Sequence, residues 1–534
     1  MRQQAEDEQS QLNTNQQHTD PTKQEVSFRR RYLFKVMTNL AGLGIGLITQ
    51  AIVPRALGPS SYGNYSFINS FFSQYVGFLN LNSSTAFYTK LSQRQNETEL
   101  VGFYSYFVLL IGLCLGLLLT VSSALGLKAL IWPGQMWVFI IIGAIWAFFS
   151  FYTMILSDMS DAYGLTVKSE TAKMVLKVVG LVAVLIMFWQ GWLNLFNYFS
   201  YQTVILILLT ILCAKIVKKA GFPSLRLIRM SKAQILLYVG EFKKFCLPLL
   251  TFTAAAVIEQ MSDRWFIQKF SGSVMQGFYG LAYQVGSICF LFTSATIPLV
   301  LREQAISFGL NDFDRMRRSF TDSVNILYCL TAFFSCFIAV EASAVLSFFG
   351  GQAYAGALVP LTIMCFFPIH QTYGQINGNF FFATERVKLY RNIGMIFIVP
   401  GLISNCILMG PKSFGALQLG AIGLAIKMVC LQIASVNVQL WYNTKYLRLP
   451  FKRFVYHQVV VVLLFLSGAL ITSNLIHVLF AAYNPFIQFL LSGLVYAGSI
   501  LALLFLRPEI CGLRRQDVLS IWSYLRLKYE SIRW

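Results

Sequence analysis

Long apolar runs recur along this chain, separated by short polar or basic stretches. A helix needs about 20 such residues to cross the hydrocarbon of a bilayer, and roughly fourteen runs meet that length. They fall at about 34–54, 64–88, 101–125, 135–157, 172–190, 194–217, 243–267, 275–301, 320–348, 355–382, 389–409, 416–442, 456–480 and 485–506. With 56% hydrophobic and 12% charged residues over 534 positions, the chain is more apolar than a soluble core of its size requires. Lipid leaves open sheet edges unpaired, and the runs are far longer than the alternating segments of a barrel. The expected fold class is an all-α integral membrane protein with about 14 transmembrane helices.

A glycine-rich turn after the first run reads Pro54-Arg55-Ala56-Leu57-Gly58-Pro59-Ser60-Ser61-Tyr62-Gly63-Asn64-Tyr65-Ser66. Its skeleton returns at Lys269-Phe270-Ser271-Gly272-Ser273-Val274-Met275-Gln276-Gly277-Phe278-Tyr279, so that Arg55, Gly58, Gly63 and Tyr65 match Lys269, Gly272, Gly277 and Tyr279 at one constant offset. Each copy belongs to a series of six apolar runs, which predicts two pseudo-symmetric six-helix lobes plus two C-terminal helices.

The expected organisation is a disordered polar tail and basic anchor at 1–33, a first lobe at 34–217, a basic linker at 218–242, a second lobe at 243–442, two extra helices at 456–506 and a tail at 507–534. The formal charge of +20 does not point to nucleic acid, because the cations sit between the spans. If the N-terminal tail is cytoplasmic, loops on its side hold most of them, among them Lys90, Lys218, Arg229, Arg317, Arg386 and Arg453, which places both termini in the cytoplasm. No metal spacing and no cofactor motif is found; Asp158 and Asp161 lack a third ligand and read as a solvated helix end.

Charges inside the spans are the candidate functional residues, since each costs roughly 2.5–3.5 kcal/mol at a helix centre and must face protein or water. Glu259, Asp263 and Arg264 lie within six residues of the seventh run, and Glu259 and Asp263 share one helix face. They read either as a polar cavity site or as an internal ion pair of Arg264 with an acid. Lys427 lies about ten residues from either end of its run, about 15 Å from each surface, and needs a cavity or a carboxylate on a neighbouring helix. Gln371, Gln375 and Asn379 form an i, i+4, i+8 stripe that either lines a watery path or bonds other helices; His370 alone reads as packing. Arg55 and Lys269 at the two turns either anchor the interface or meet an anionic head group.

The first turn resembles the R-x-L-G-x-x-x-Y-G-x-Y signature of the polysaccharide transporters and O-antigen flippases of the MOP superfamily. The stretch from Ala383-Thr384-Glu385-Arg386 through Asn405, Gly415 and Gly420-Ala421-Ile422-Gly423 is similar to that family's small-residue pattern, whereas Val274-Met275 departs from the signature in the second copy. The resemblance spans about residues 30–510. It implies a flippase of the bacterial cytoplasmic membrane, moving a polyprenyl-pyrophosphate-linked oligosaccharide to the outer leaflet by rocking its lobes, beside polymerase and ligase partners. The anionic pyrophosphate would meet Arg264 and Lys427, with Arg55 and Lys269 at the turns; Glu259 or Asp263 would couple Na⁺ or H⁺; the apolar tail would stay in lipid near the two extra helices. Two other readings remain: a cation-coupled multidrug antiporter of the same superfamily, favouring acids and aromatics in its cavity, and a membrane enzyme acting on lipid-linked glycans. Against an enzyme, the sequence holds no P-loop, no paired acids on one outer loop and no nucleophile motif.

Overall fold

The computed structural model describes residues 28–511 apart from 291, 292, 294 and 295; the expected tail at 1–27 and nearly all of that at 507–534 lie outside the described residues. Within them the chain is helical, with no strand. The helices are α1 (Phe28–Asn80), α2 (Ser83–Gln93), α3 (Thr98–Ala124), α4 (Lys128–Ile131), α5 (Trp137–Ala162), α6 (Thr166–Trp189), α7 (Leu195–Lys219), α8 (Lys232–Phe270), α9 (Gly272–Ser287), α10 (Ile297–Gly309), α11 (Phe313–Val340), α12 (Ala342–Phe349), α13 (Leu358–Met364), α14 (Phe367–Ala383), α15 (Val387–Met409), α16 (Gly420–Leu447), α17 (Phe451–Leu479) and α18 (Pro485–Leu506). Eleven helical runs among the described residues are long and apolar enough to cross a membrane. The first of them holds two expected spans, while the seventh and eighth correspond to α8 and to the pair α9 and α10.

Breaks in these helices have local causes. In α1 the backbone bends at Gly58, whose φ of 71° is open to glycine and costly for other residues. Gly272 between α8 and α9 has φ 80°, the same conformation at the matching position of the second copy. The eighth span, expected as one run at 275–301, is instead broken: α9 ends at Ser287, a 3₁₀ turn covers Ile288–Phe290, and α10 restarts at Ile297. Pro298 in the first turn of α10 lacks an amide proton and its ring crowds the carbonyl four residues back, so a helix begins there and cannot pass through. Pro368 does the same at the start of α14, dividing the tenth span after α13.

Three buried apolar clusters hold the bundle together. One fills the first lobe, from Phe67 and Phe72 through Tyr104, Trp132 and Phe151. A second is shared between the lobes, bringing Val53, Leu57, Tyr62 and Tyr198 against Phe278, Leu281, Tyr354 and Leu424. It lies at the end of the bundle that carries Gly58 and Gly272, the turn end. The third joins α11, α14 and α16 to α17 and α18, through Phe320, Tyr328, Phe380, Phe465 and Tyr496.

The segment between the lobes is docked, and its helical part starts early. Ser231 and Gln234 form a reciprocal capping box that opens α8 at Lys232, so the last residues of the expected linker are helix. The preceding strand of chain lies on the first lobe: Tyr106 Oη donates to the Ile228 carbonyl at 2.8 Å and Tyr163 Oη to the Pro223 carbonyl at 3.0 Å. Tyr238 and Phe242 of α8 then pack into the first lobe's cluster. Further along, α8 packs on α15 of the second lobe as well as on α1. One helix is thus anchored to both lobes.

Candidate functional site: a divided cavity between the lobes

At the turn end the lobes meet along α1 and α9. Gly63, Gly277 and Gly280 let the two backbones approach without intervening side chains, as small residues do in membrane interfaces where lipid supplies no hydrophobic drive. Ser273 Oγ donates to Asn64 Oδ1 at 2.6 Å, and Gln135 Nε2 to the same oxygen at 2.7 Å, closing this end with hydrogen bonds. Away from it, toward the end where the chain enters α1, the lobes separate around two adjoining cavities.

The first cavity, about 690 Å³, is lined mainly by α8, α14, α15 and α16. In its wall Lys427, only 2% exposed, sits 2.5 Å from Asp263 Oδ1 and 3.1 Å from Glu259 Oε1. Asn405 Nδ2 of α15 also donates to Asp263 Oδ1, at 2.7 Å, and to Ser262 Oγ at 2.8 Å. Glu259 and Asp263, one turn apart on α8, therefore grip a cation delivered by α16, and Gly401 of α15 leaves the space that the Glu259 carboxylate occupies. With two acids to one lysine the cluster carries a negative charge in excess, beside the Arg264 guanidinium.

Arg264 is the divider. It lines both cavities, together with Ser70 and Tyr283. Its guanidinium carbon lies 4.5 Å from the centre of the Tyr279 ring and 5.7 Å from that of Tyr283, a cation–π position. Among the described residues no acid lies within ion-pair distance of it, and its Nη1, though buried, has no hydrogen-bond partner.

The second cavity, about 610 Å³, belongs mostly to the first lobe. Its described lining contains Lys173, Lys177 and Arg264 and no acid. Lys173 is held by Glu170 at 2.7 Å, while Lys177 has no acid within ion-pair distance among the described residues. A tyrosine–amide cluster forms the floor near the turn end: Tyr65 Oη donates to Gln202 Oε1 at 2.8 Å, Gln202 Nε2 contacts Tyr198 Oη at 2.5 Å, and the Tyr65 and Tyr198 rings meet edge to face at 5.2 Å.

The structure brings together Arg264, Lys427, Glu259, Asp263, Gln371, Gln375 and Asn379, all on the first cavity. Asn379 also donates to the Ile297 carbonyl at 3.1 Å, tying α14 to the first residue of α10. It leaves Arg55 and Lys269 out: neither lines either cavity, and Arg55 donates instead to the Ser347 carbonyl at 2.8 Å. Lys427 differs from a free cavity cation, because both acids of α8 take its charge; those acids pair with Lys427 and not with Arg264. His370 packs edge to face on Tyr328, with ring centres 6.0 Å apart. Asp161 is paired with Lys35 at 2.6 Å. Sequence reasoning missed the second cavity. Its signal is the Tyr198, Tyr201, Gln202 spacing and the pair Lys173 and Lys177, which are one turn apart where α6 passes from its polar start into its apolar run.

These features define a two-lobed helical membrane architecture with polar cavities closed at one end. No protein-family model matches the sequence, and no curated protein matches it. Solved structures do. The lipid II flippase MurJ, in an inward closed conformation, superposes with TM-score 0.65 at 17% identity over 90% of this chain and 99% of its own. An inward-facing multidrug resistance MATE family transporter of the MOP superfamily gives TM-score 0.59 at 12% identity, over 77% of this chain and 99% of its own. A MOP superfamily transporter from Pyrococcus furiosus with reversed binding-pocket polarity gives 0.51 at 13%, over 78% and 96%. The chain has the fold of the MOP superfamily transporters and is a multi-pass membrane protein.

Proposed function

We propose that the protein is a flippase for a polyprenyl-pyrophosphate-linked oligosaccharide in surface polysaccharide assembly, carrying it from the leaflet at the termini end to the leaflet at the turn end. The observation that carries this reading is the second cavity, with three cations, no acid in its described lining and an unpaired guanidinium on the wall it shares with the first cavity. A dianionic head group in a partly water-excluded site is stabilised by such donors, and arginine can bind phosphate through two parallel hydrogen bonds. Arg264 and Lys177 are the cations with charge to spare. Gln371 and Gln375, beside them in the first cavity, suit sugar hydroxyls, and the lipid tail remains in the bilayer along the apolar faces of the bundle.

Lys427 takes a different role in this reading. It stands between Glu259 and Asp263 as a tethered counterion, so a coupled Na⁺ or H⁺ has to displace it. A drug–cation antiporter is disfavoured on the same ground, since the cavity's two acids are already engaged by lysine.

The test is reconstitution of the full chain in vesicles holding a fluorescent polyprenyl-pyrophosphate-linked sugar, with an impermeant quencher outside. Protein-dependent loss of protection that disappears in Arg264→Gln is expected; equal protection with and without protein rejects the reading. In cells, loss of the protein is expected to leave lipid-linked repeat units accumulating on the cytoplasmic side.

A further inference from the structure

A third cleft, about 380 Å³, lies at the turn end and shares no lining residue with the two central cavities. Its walls come from three places: Arg55 of α1, the stretch from Ala344 to Phe349 of α12, and the stretch from Asn484 to Phe489 at the start of α18. Phe348 and Phe486, 48% and 52% exposed, stand nearly parallel with ring centres 6.1 Å apart, and Phe349 and Phe489 complete an apolar wall. Arg55 is the one charged residue in this lining. It spends one nitrogen, Nη2, on the Ser347 carbonyl, and no acid lies within ion-pair distance among the described residues.

We infer that this cleft binds an anionic phospholipid of the turn-end leaflet, phosphodiester on Arg55 and acyl chain between the phenylalanines. Three observations converge on that chemistry. The volume is within the roughly 300–1,000 Å³ of small-molecule sites. The facing rings of Phe348 and Phe486 are about half exposed on the outside of the bundle, and aromatic rings are at home at the membrane interface. A guanidinium without a carboxylate partner has donors free for a phosphate, and the first turn of α18, at the same wall, adds the positive end of a 22-residue helix. Bulk lipid is favoured over the transported substrate because the cleft is separate from both cavities. Arg55 belongs to the first lobe, Phe348 and Phe349 to the second and Phe486 and Phe489 to the extra helix α18, so the lipid clamps the first lobe to the other two at this end and favours the closed state.

The experiment uses the full chain in nanodiscs of equal parts phosphatidylglycerol and phosphatidylcholine, with retained lipid measured by native mass spectrometry after transfer to detergent. Phosphatidylglycerol is expected to exceed phosphatidylcholine by about fivefold, the ratio that about 1 kcal/mol per interfacial cation gives. Arg55→Gln should bring the ratio to one, Arg55→Lys should keep part of it, and Phe486→Ala should lower retention of both lipids. A ratio near one in the unaltered chain overturns the inference even if no variant folds. So does a ratio untouched by Arg55→Gln, displacement by glycerol phosphate alone, which would mean an anion site only, or displacement by a polyprenyl-pyrophosphate sugar, which would make the cleft part of the substrate path.

Discussion

Gly63 lies on the carbonyl of Ser273, and Gly277 lies on the carbonyl of Pro59. Pro59 and Ser273 are themselves equivalent positions of the repeated turn, so the contact is reciprocal: each copy presents a glycine to the backbone of the other. Gly280 and Ser66, a further equivalent pair, touch directly. The pseudo-twofold axis of the molecule therefore passes between these turns, where a self-complementary contact closes one end of the cavity.

A β-carbon at Gly277 would collide with backbone that cannot swing aside, so Gly277→Ala should push the turn end open. Overpacking costs about 1–3 kcal/mol, which corresponds to a roughly 5–150-fold shift between closed and open states. The check is the labelling rate of a cysteine placed at Leu57, buried at the turn end, by an impermeant maleimide. The expected result is faster labelling in Gly277→Ala; an unchanged rate contradicts the closure.

Lys427→Met should be strongly destabilising, because it leaves Asp263 buried without its cation. Removing one partner of a buried pair typically costs about 3–5 kcal/mol. Asp263→Asn in the same chain should recover most of that loss, since the neutral amide keeps its bond to Asn405. Thermal unfolding of the two single variants and the double variant supplies the coupling energy; simple additivity would show that the pair does not hold α8 to α16.

Arg264→Gln should separate transport from stability. Its cation–π contacts are worth about 0.5–2 kcal/mol for a partly buried guanidinium, so the melting temperature should move less than in Lys427→Met while surface polysaccharide export is lost. Arg264→Lys should retain the charge but lose two-pronged phosphate binding, giving an intermediate rate. Normal export in Arg264→Gln would remove it from the substrate path.

Near the start of α8, Glu241 is gripped by Lys90 of α2 at 2.6 Å and by Arg94, the residue that caps the end of α2, at 2.8 Å. Partly exposed pairs contribute about 0–1 kcal/mol each, so losing both in Glu241→Gln should speed hydrogen exchange in the first turns of α8 by up to about thirtyfold without unfolding the protein. Lys90→Gln with Arg94→Gln should give the same rate, and adding Glu241→Gln to them should change nothing more. A further increase would mean that Glu241 has another role.

The run lengths made the helices legible in the sequence, and the repeat of Gly58 and Gly63 in Gly272 and Gly277 gave the paired lobes. Both depend on local patterns: about 20 apolar residues for a span, a glycine where φ is positive or backbones touch. The break between α9 and α10 was hidden because hydropathy averages over it, although Pro298 marks it. The candidate site was legible only as a set. That Glu259, Asp263, Arg264 and Lys427 must face protein or water follows from the cost of charge in lipid, but which cation the acids take depends on how α16 is rotated against α8. No single-chain spacing encodes that rotation. The second cavity escaped because tyrosines and two lysines near helix ends look like interfacial anchors until the lobes are assembled.

The apolar cluster that spans both lobes sits at one end only, and that makes the empty protein lopsided. Swinging it the other way strips a greasy seam bare before anything comparable has formed opposite, so the unloaded molecule rests with its mouth toward the termini. Under the proposed function, the cargo has to supply the push that tips the balance, by gathering Arg264 and the amides around itself.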